Sequence, residues 1–336
     1  MLLIQTDTLE TSTEYVIHWL KHFGVPFCRI NETCKVDLLD FDIQKPVVLQ
    51  VHYPNLDTAM TLNLSDVSAY WYRRGALKLN TTPAIFQGTS DNEQNLIYNN
   101  TAFYVHGEQK KITDLLNQLF EQKNGVGRSS DNALINKLYN LRIAHDLGIN
   151  VPATTLCKHS KDLKNFVEKY SEAILKGIDQ NGFDILKHYF FGEEALLVDT
   201  STDFSLLPET GIYTLVQEHI KKTSDLRIFY LDGKIFSTAI FSQNDPQTRI
   251  DFRRYNKENP NRIQPFKLPD AEEEKIRKLM QKLDYKTGSI DYIYSSDKRF
   301  VFLEINPIGQ YGFISGQANL FLDREIVQYF KQFETP

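Results

Sequence analysis

The chain has 336 residues, enough for two or three domains that each have their own core. Hydrophobic residues make up 41% and charged residues 24%, which is ordinary for a soluble globular protein. The net charge of −5 gives no global attraction to nucleic acid or to an anionic membrane, so we expect neither as a partner.

The three cysteines, Cys28, Cys34 and Cys157, are odd in number and form no CxxC pair. This argues against a disulfide framework or a structural zinc site and is typical of a reducing cytoplasm. The N-terminus lacks the basic start and long apolar core of a signal peptide, and no apolar run approaches the length of a membrane span. We therefore expect a cytoplasmic protein.

The first part of the chain alternates short strands with a helix. Leu2–Thr6 is predicted as a strand and Thr11–Phe23 as an amphipathic helix. Phe27–Ile30 and Val47–Val51 are predicted as further strands. Strand, helix and strand in this order predict a small α/β domain with parallel pairing. No glycine-rich loop follows the first strand, so the pattern is not that of a dinucleotide site.

The stretch SAYWYRRG places Arg73 and Arg74 directly after aromatic residues. Adjacent guanidinium groups can clamp a carboxylate or a phosphate. The simpler alternative is a surface strand whose arginines stack on the aromatic rings. Residue chemistry alone favours the surface strand.

The middle of the chain contains the best candidate boundary. Ile112–Gln122 is predicted as a helix that closes the first domain, and the glycine- and serine-containing stretch NGVGRSS follows it. Asp131–Leu147 is then predicted as an amphipathic helix, with Leu134 on its apolar stripe. Gly148 can end that helix.

Short strands dominate the next part. In EAILKG, a buried strand is predicted to end at Lys176, whose ammonium group is either solvated or able to reach a phosphate. Thr214–Ile220 is another predicted strand. Asp225–Leu231 and Lys234–Phe241 flank an Asp-Gly turn, a strong hairpin signal.

A long polar segment, Ser242–Arg262, follows this hairpin and is predicted to be a loop that carries function. Ala271–Leu283 is predicted as a polar helix, and Phe321–Phe333 as a C-terminal amphipathic helix.

Between these helices, the segment GSIDYIYSSDKRFVFLEINPIG is predicted as a second hairpin, with strands Ser289–Tyr294 and Phe300–Ile305. If Tyr294 pairs with Arg299, Asp291 lies opposite Phe302.

Alternation then places Glu304 and Asn306 on the same face as Asp291. Two carboxylates and an amide oxygen are hard ligands that suit Mg²⁺. The alternative is a polar, solvated sheet face. The apolar residues Val301, Leu303 and Ile305 between them favour a packed strand whose acidic face lines a cleft.

FLEINPIG, with an Asp on the preceding strand, resembles the metal-binding end of the ATP-grasp superfamily of carboxylate ligases, which use ATP and Mg²⁺. The order of elements is similar over nearly the whole chain. The resemblance implies a mixed α/β and α+β fold with a small N-terminal α/β (pre-ATP-grasp) domain and two α+β units that clasp ATP. We place these at residues 1–125, 126–215 and 216–336.

The resemblance also implies roles for single residues. Lys137 and Lys176 match the phosphate-binding lysines. Gln217-Glu218-His219-Ile220 resembles the hinge that holds adenine and ribose.

After that hinge, Asp225 and Arg227 match an Asp-x-Arg pattern. Arg253 in DFRRY resembles the arginine that neutralises the reacting phosphate, with Arg227 as a second catalytic arginine. Asp291, Glu304 and Asn306 match the Mg²⁺ ligands. One departure is KGIDQNGFDILKH, where many members have a glycine-rich loop and this chain has only Gly177 and Gly182.

Within the superfamily, SAYWYRRG, LINKLYNLRIA and FLEINPIGQYGFIS together resemble the maturases of graspetides, which are microviridin-type peptides. The resemblance implies activation of Asp or Glu side chains of a ribosomal precursor peptide as acyl-phosphates. These carboxyl groups are then joined to Ser, Thr or Lys side chains as macrolactones or macrolactams. The alternative is an ATP-grasp carboxylate–amine ligase that adds amino acids to a protein or small peptide.

The implied partner is a precursor peptide with leader and core parts, and the resemblance suggests a homodimer. Side chains that we expect to contact the peptide are Arg73, Arg74, Arg249, Asp251 and Arg254.

Overall fold

The computed structural model describes residues 1–81, 91–131, 136–178, 183–186, 189–191 and 195–334. The chain forms two compact units, one of Met1–Ala133 with Phe321–Pro336 and one of Leu134–Leu320. The three-domain division expected from the sequence stays a prediction. None of the helices in the described ranges combines the length and apolar character that crossing a bilayer requires.

The first unit is built on a parallel sheet. In chain order its elements are β1 (Leu2–Thr6), α1 (Thr11–His22), β2 (Phe27–Asn31), β3 (Lys35–Asp40), β4 (Val48–Tyr53), β5 (Thr58–Asn63), β6 (Ala69–Tyr72), α2 (Asp91–Glu121) and β7 (Asn124–Val126). The main sheet has the order β2-β1-β6-β7, with every neighbouring pair parallel. The predicted parallel α/β arrangement is therefore confirmed, and β3, β4 and β5 form a separate antiparallel sheet.

The expectation of a surface strand at SAYWYRRG is wrong. Strand β6 is an inner strand between β1 and β7, and all of its residues are buried. The ring of Trp71 packs against Phe330 of the C-terminal helix, with the ring centroids 5.9 Å apart. Inner strands of parallel sheets are covered on both faces, which is why this strand is a continuous apolar run rather than an alternating one.

The second unit follows the predicted boundary segment NGVGRSS. Its elements are α3 (Lys137–Asp146), β8 (Thr154–His159), α4 (Ser160–Tyr170), β9 (Glu172–Lys176), β10 (Phe183–Leu186), β11 (Tyr189–Phe191), β12 (Leu196–Asp199), β13 (Thr210–Glu218), β14 (Lys222–Leu231), β15 (Lys234–Phe241), β16 (Arg262–Pro265), α5 (Asp270–Lys282), β17 (Thr287–Ser295), β18 (Phe300–Asn306) and α6 (Gly312–Gln317). The last helix, α7 (Leu322–Lys331), belongs to the first unit.

Two antiparallel sheets position the chemistry of the second unit. One has the order β12-β9-β13-β8 and packs its apolar side against α4 through Leu163 and Val167. The other has the order β16-β15-β14-β17-β18 and buries residues such as Ile228 and Ile290 against α3 and α5. Each sheet has one face in a core, so its other face is available to line a cleft.

Two helices differ from the prediction in where they begin. Helix α2 starts at Asp91 rather than near Ile112, and Phe103 on it is 81% exposed. Its first half lacks the apolar periodicity from which a helix is predicted.

Helix α3 starts at Lys137 rather than Asp131, because the side-chain oxygen of Asn136 accepts the N–H of Tyr139 at 3.0 Å and caps the helix. Leu134, which the sequence analysis placed on this helix, lies outside the described residues. So does Gly182, in the stretch KGIDQNGFDILKH that departs from the family pattern.

Candidate functional site

The hairpin of β17 and β18 forms the floor of the site, and its register differs from the prediction. Tyr294 pairs with Phe300 rather than with Arg299, and Asp291 pairs with Glu304 rather than lying opposite Phe302. An irregularity between Asp291 and Tyr292 accounts for part of the difference.

The remainder comes from the turn, which closes between Ser295 and Arg299 with Lys298 at a positive φ of 65°. The two carboxylates thus face each other across one pair of strands. Gly309 of the NPIG sequence packs against the same hairpin, since a Cβ there would come within 2.6 Å of the Ser289 Cβ.

Arg227 of β14 compensates the charge of Asp291. Its Nη1 donates to both carboxylate oxygens of Asp291, at 2.7 and 2.9 Å, and its Nη2 donates to the carbonyl of Gln310 at 2.8 Å. Both side chains are about nine-tenths buried. Burial raises the pKa of Asp291, while the adjacent guanidinium of Arg227 opposes that rise. Arg227 thereby anchors one wall of the site to the segment that follows β18.

Glu304 lies among cations from three separate elements. Its Oε2 is 3.5 Å from Nζ of Lys137 at the start of α3, and its Oε1 is 3.8 Å from Nη1 of Arg253. Burial acts to raise the pKa of Glu304, but the positive charges of Lys137, Lys176 and Arg253 outweigh burial and lower it. At such separations an attraction of roughly 4 kcal/mol per pair is typical at an effective dielectric constant of 20. Several such cations suffice to keep this buried carboxylate ionised.

For Lys176, at the end of β9, the effect of burial on the pKa outweighs that of the neighbouring charges. Burial lowers the pKa of its ammonium group, and the carboxylate of Glu304 only partly restores it, while Arg253 and Lys137 lower it further. Lys137, Lys176 and Arg253 outnumber the two carboxylates beside them, Glu304 and Asp251, so the cluster can accept more negative charge. An anion with several charges, such as a phosphate chain, would satisfy it.

Asp251 holds Arg253 in place. Its carboxylate accepts from Nε of Arg253 at 2.9 and 3.0 Å and from Nη2 at 2.7 Å. It also accepts the backbone N–H of Arg253 at 3.0 Å. The sequence grouped Asp251 with the peptide contacts, whereas the structure places it as the carboxylate that orients Arg253 toward Glu304.

A cleft of about 720 Å³ runs from these charges to the end of β13. Its charged end includes Lys176, Arg253, Asp291 and Glu304. The other part is lined by apolar side chains and by the predicted hinge, namely Pro152, Ile174, Gln217, Glu218, His219, Ile220, Ile293 and Leu303. An apolar slot joined to an end that carries lysine and arginine matches a nucleotide, whose base is flat and apolar and whose phosphates are negatively charged.

The hinge residues are tied to the neighbouring strands. His219 Nδ1 lies 2.9 Å from Oε2 of Glu172 on β9, and Gln217 donates to Thr154 Oγ1 on β8 at 3.1 Å. The backbone N–H groups of Glu218 and His219 donate to the Ala153 and Glu172 carbonyls. The structure therefore gives these side chains a part in fixing the hinge.

Lys222 is a cleft residue that the sequence analysis missed. Its Nζ donates to Asp225 Oδ1 at 2.6 Å and to the Ile250 carbonyl at 3.2 Å. Asp225 also accepts from Ser242 Oγ at 2.5 Å. Burial raises the pKa of Asp225, and Lys222 opposes that rise. This network joins β14 to both ends of the segment 242–250. Lys222 is the second lysine of a KK pair at a strand start, which gives no sequence signal for the network.

The other predicted site residues lie elsewhere. Arg73 is buried in the first unit, with Nη2 3.4 Å from Glu10, and Arg74 lies 3.6 Å from the same carboxylate. Arg73 thus belongs to the interior of its unit. Arg249 and Arg254 lie on the polar loop, which has no helix or strand between β15 and β16 and so has the form predicted for it.

The donor set at the hairpin fits a magnesium site. Among the described residues no group of three His, Cys, Asp or Glu side chains could hold a metal, so a dedicated all-protein cage is absent from that part of the chain. Asn306 lies on β18 two residues after Glu304, and its Oδ1 accepts the Ile308 N–H at 3.1 Å, which leaves a second lone pair. One or two carboxylates completed by substrate phosphates are what Mg²⁺ ordinarily uses.

The two-sheet unit and its charged cleft are those of a ligase that uses ATP and Mg²⁺. A family model described as the RimK-like ATP-grasp domain matches residues 135–330, more than half of the chain. The chain belongs to the RimK-like ATP-grasp family. It is an ATP-grasp ligase, and ATP-grasp enzymes use ATP and Mg²⁺. No protein of curated function matches the chain in sequence.

Solved structures similar to this chain extend over both units. The macrocyclase MdnC from Microcystis aeruginosa MRC, bound with precursor peptide MdnA, is 22% identical, with a TM-score of 0.71, 99% of this chain covered and 100% of that one. A RiPP-associated ATP-grasp ligase from Chryseobacterium gregarium, in complex with ADP and a leader and core peptide, is 21% identical, with a TM-score of 0.74 and 99% and 97% covered.

The ATP-grasp ligase PsnB, complexed with a variant precursor, Mg and ADP, is 12% identical, with a TM-score of 0.71 and 99% and 98% covered. At these identities the likeness establishes the fold, and the ATP-grasp fold expected from the sequence is confirmed.

Proposed function

We propose that this ligase closes rings within a ribosomally made precursor peptide, as in graspetide biosynthesis. It would join an Asp or Glu side chain, activated as an acyl-phosphate, to a Ser, Thr or Lys side chain as a macrolactone or macrolactam (an omega-ester or omega-amide peptide). The reaction would take place in the cytoplasm, and the enzyme would act as a homodimer.

The observation that carries the proposal is the convergence of Lys137, Lys176 and Arg253 on Glu304 at the charged end of the cleft. This arrangement supports phosphoryl transfer to a carboxylate, a reaction that depends on positioning and electrostatics rather than on a protein nucleophile. The match in fold to peptide macrocyclases over 99% of the chain, beyond the family domain alone, supports a peptide as the carboxylate donor.

Each residue would have a distinct part. Lys137 and Lys176 would neutralise the phosphate chain, and the hinge from Gln217 to Ile220 would border the base. When bound, ATP supplies the phosphoryl group that activates a carboxylate, and Mg²⁺, held by Asp291, Glu304 and Asn306, neutralises its charge.

The arginines would act where charge builds up. Arg253, oriented by Asp251, would stabilise the negative charge that accumulates on the transferring group. Arg227 would act indirectly, by holding Asp291, because its Nη1 donates to both carboxylate oxygens of that residue.

Mass spectrometry of a candidate precursor tests the proposal. The purified protein is incubated with ATP, Mg²⁺ and a small peptide encoded beside it. Loss of one water per bond, retained by Asp297→Asn and abolished by Glu304→Gln, is the expected result. A mass gain would instead support the alternative ligase that adds amino acids, and absence of peptide-dependent ADP release across a peptide panel would contradict a catalytic role on peptides.

We further propose that the polar loop 242–262 binds an acidic part of the precursor through Arg249 and Arg254, with Arg74 as a further contact on the first unit. For the double reversal Arg249→Glu/Arg254→Glu, we expect the peptide KM to rise at least about tenfold and its salt dependence to flatten, while kcat changes little. The matched control reverses two exposed lysines on α4 and α5, Lys164→Glu/Lys282→Glu. Equal KM values for the two double variants would rule out this contact.

A further inference from the structure

A second pocket adjoins the cleft and differs from it in character. Its volume is about 540 Å³, which includes space that is open to solvent. Its walls are largely apolar, formed by Ile240 of β15, Ile263 of β16, Phe313 of α6 and two aromatic residues of the polar loop, Phe252 and Tyr255. Of these side chains only Phe252 also lines the cleft that we assign to the nucleotide.

The pocket shares a wall with the reaction site, because Phe252 and Arg253 line both. Arg253 has its Nη1 3.8 Å from Glu304 and is held by Asp251. It is also the one charged side chain among the described residues that line the pocket. A group in the pocket would therefore lie beside the guanidinium that we assign to the reacting phosphate.

The walls are held by aromatic contacts. The rings of Phe252 and Phe313 are 6.4 Å apart between centroids, and the guanidinium of Arg227 lies 5.9 Å above the ring of Phe313. Tyr255 is 50% exposed. Large aromatic side chains that face an open hollow are typical of the central anchors of recognition sites.

We infer that this pocket receives a large apolar side chain of the peptide substrate, from the residue directly before or after the reacting Asp or Glu. The inference rests on the proposed function, whose substrate it specifies. Neighbouring residues of an extended chain are about 3.3–3.6 Å apart along the backbone, and their side chains point to opposite faces. The reacting side chain and its neighbour therefore enter the reaction site and the pocket on the two sides of Arg253. The apolar lining disfavours a charged occupant, since a buried charge without a partner is costly.

The probe for this pocket is a set of three blocked tetrapeptides. Two place Phe before or after Glu, acetyl-Gly-Phe-Glu-Gly-amide and acetyl-Gly-Glu-Phe-Gly-amide, and the third is acetyl-Gly-Gly-Glu-Gly-amide. Their binding to the full-length protein loaded with ADP and Mg²⁺ is measured by calorimetry. We expect at least one Phe peptide to bind about tenfold or more tightly than the third, since burying a Phe ring is worth that much in affinity.

Two variants fill the pocket, Gln317→Trp from its exposed position on α6 and Ile263→Trp from β16. In both, we expect the advantage of Phe to disappear while affinity for ADP is unchanged and the thermal midpoint confirms folding. The matched control is Gly316→Trp, which adds the same side chain to α6 at an exposed residue outside the pocket lining.

Equal binding of all three peptides to the unaltered protein would overturn the inference. So would an advantage of Phe that persists in both filling variants. If the expected binding pattern is found but no candidate precursor that carries Ser, Thr or Lys stimulates ADP release, the pocket stands as a peptide-binding site and the proposed ring closure fails, so the two failures are distinguishable.

Discussion

The cations of the cleft lie around the carboxylate of Glu304. Replacing this residue distinguishes a role in binding the metal from a role in supporting the fold. Glu304→Gln removes a proposed metal ligand but leaves Lys137, Lys176 and Arg253 in place. We expect ADP release to fall at least about 100-fold, because mutations of residues around a metal typically cost 10–100-fold and we assign this one to the metal itself. We expect binding of nucleotide in the absence of Mg²⁺ to persist or tighten, since one negative charge is gone.

The measurements for Glu304→Gln are ADP release against Mg²⁺ concentration and calorimetry of ADP with a chelator. Asp297→Asn makes the same acid-to-amide change on the exposed tip of the same hairpin and should leave both unchanged. Loss of metal-free nucleotide binding in Glu304→Gln would mean that the residue supports the fold rather than the metal.

If Lys176 binds the phosphate chain as we propose, nucleotide binding should be sensitive to alkaline pH. Burial lowers its pKa below the ordinary lysine value of 10.5, so its charge is lost at a lower pH than that of a surface lysine. An anion binds the charged form, so we expect nucleotide affinity to fall as pH rises toward 10.5. Because the folded protein binds this proton more weakly than the unfolded chain, the contribution of Lys176 to folding stability changes in the opposite direction and rises with pH over that window.

In Lys176→Arg, whose guanidinium stays charged, we expect the loss of affinity to move to higher pH. The measurement is calorimetry of ADP with Mg²⁺ at successive pH values, with Lys164→Arg on the exposed face of α4 as the control. Identical pH profiles for Lys176→Arg and the unaltered protein would assign the pH dependence to another group.

At the scale of the elements, the hairpin of β17 and β18 shows what a sequence can specify. Alternation predicts which residues share a face, and Asp291 does face Glu304. The pairing itself depends on where the turn closes and on an irregularity between Asp291 and Tyr292. Neither has a signature in residue type. The irregularity lies only in the pairing with β18, since Asp291 and Tyr292 pair in regular register with β14.

Contacts between distant elements are the other part that the sequence does not specify. Arg253 was expected at the phosphate from its DFRRY sequence, but its orientation by Asp251 and its approach to Glu304 depend on how the loop folds back over β18. Lys222 was missed for the same reason, since its Nζ donates to the distant Ile250 carbonyl as well as to Asp225, and Asp225 meets Ser242 through the hairpin of β14 and β15.

That Lys222 network should also support the fold of the polar loop. Lys222 and Asp225 are both about 95% buried as side chains, and removing one partner of such a pair typically costs about 3–5 kcal/mol. We therefore expect Asp225→Ala to lower the free energy of unfolding by that amount, measured by urea denaturation. The double variant Lys222→Met/Asp225→Leu should be less destabilised, because it leaves no unpaired charge.

An exposed pair provides the comparison for this network. Lys164 and Glu168 lie 3.8 Å apart on α4 with both side chains more than half exposed, and Glu168→Ala should cost less than about 1 kcal/mol. If Asp225→Ala costs no more than Glu168→Ala, the buried network contributes nothing beyond an ordinary surface pair.

At the scale of the whole molecule, the division into two compact units and the predicted division into three domains assign the C-terminal helix differently. The sequence assigns 216–336 to one domain, whereas α7 (Leu322–Lys331) is part of the first unit, where Trp71 contacts Phe330. Every residue that we assign to nucleotide and metal lies in the unit Leu134–Leu320. Ligand binding therefore distinguishes the two divisions, because a ligand stabilises the cooperative unit that binds it.

Hydrogen exchange with and without ADP and Mg²⁺ makes this comparison. At a ligand concentration 100 times Kd, binding adds about 2.7 kcal/mol to the opening free energy of the cooperative unit. We expect that protection in β9, β13, β14, β17 and β18, and little change in β1, β6 and α7. If α7 instead gains the same protection as β17 and β18, the chain responds as the sequence predicted, with the C-terminal helix coupled to the domain that holds the metal. The exchange of α7 alone therefore decides which division describes the cooperative units of the protein.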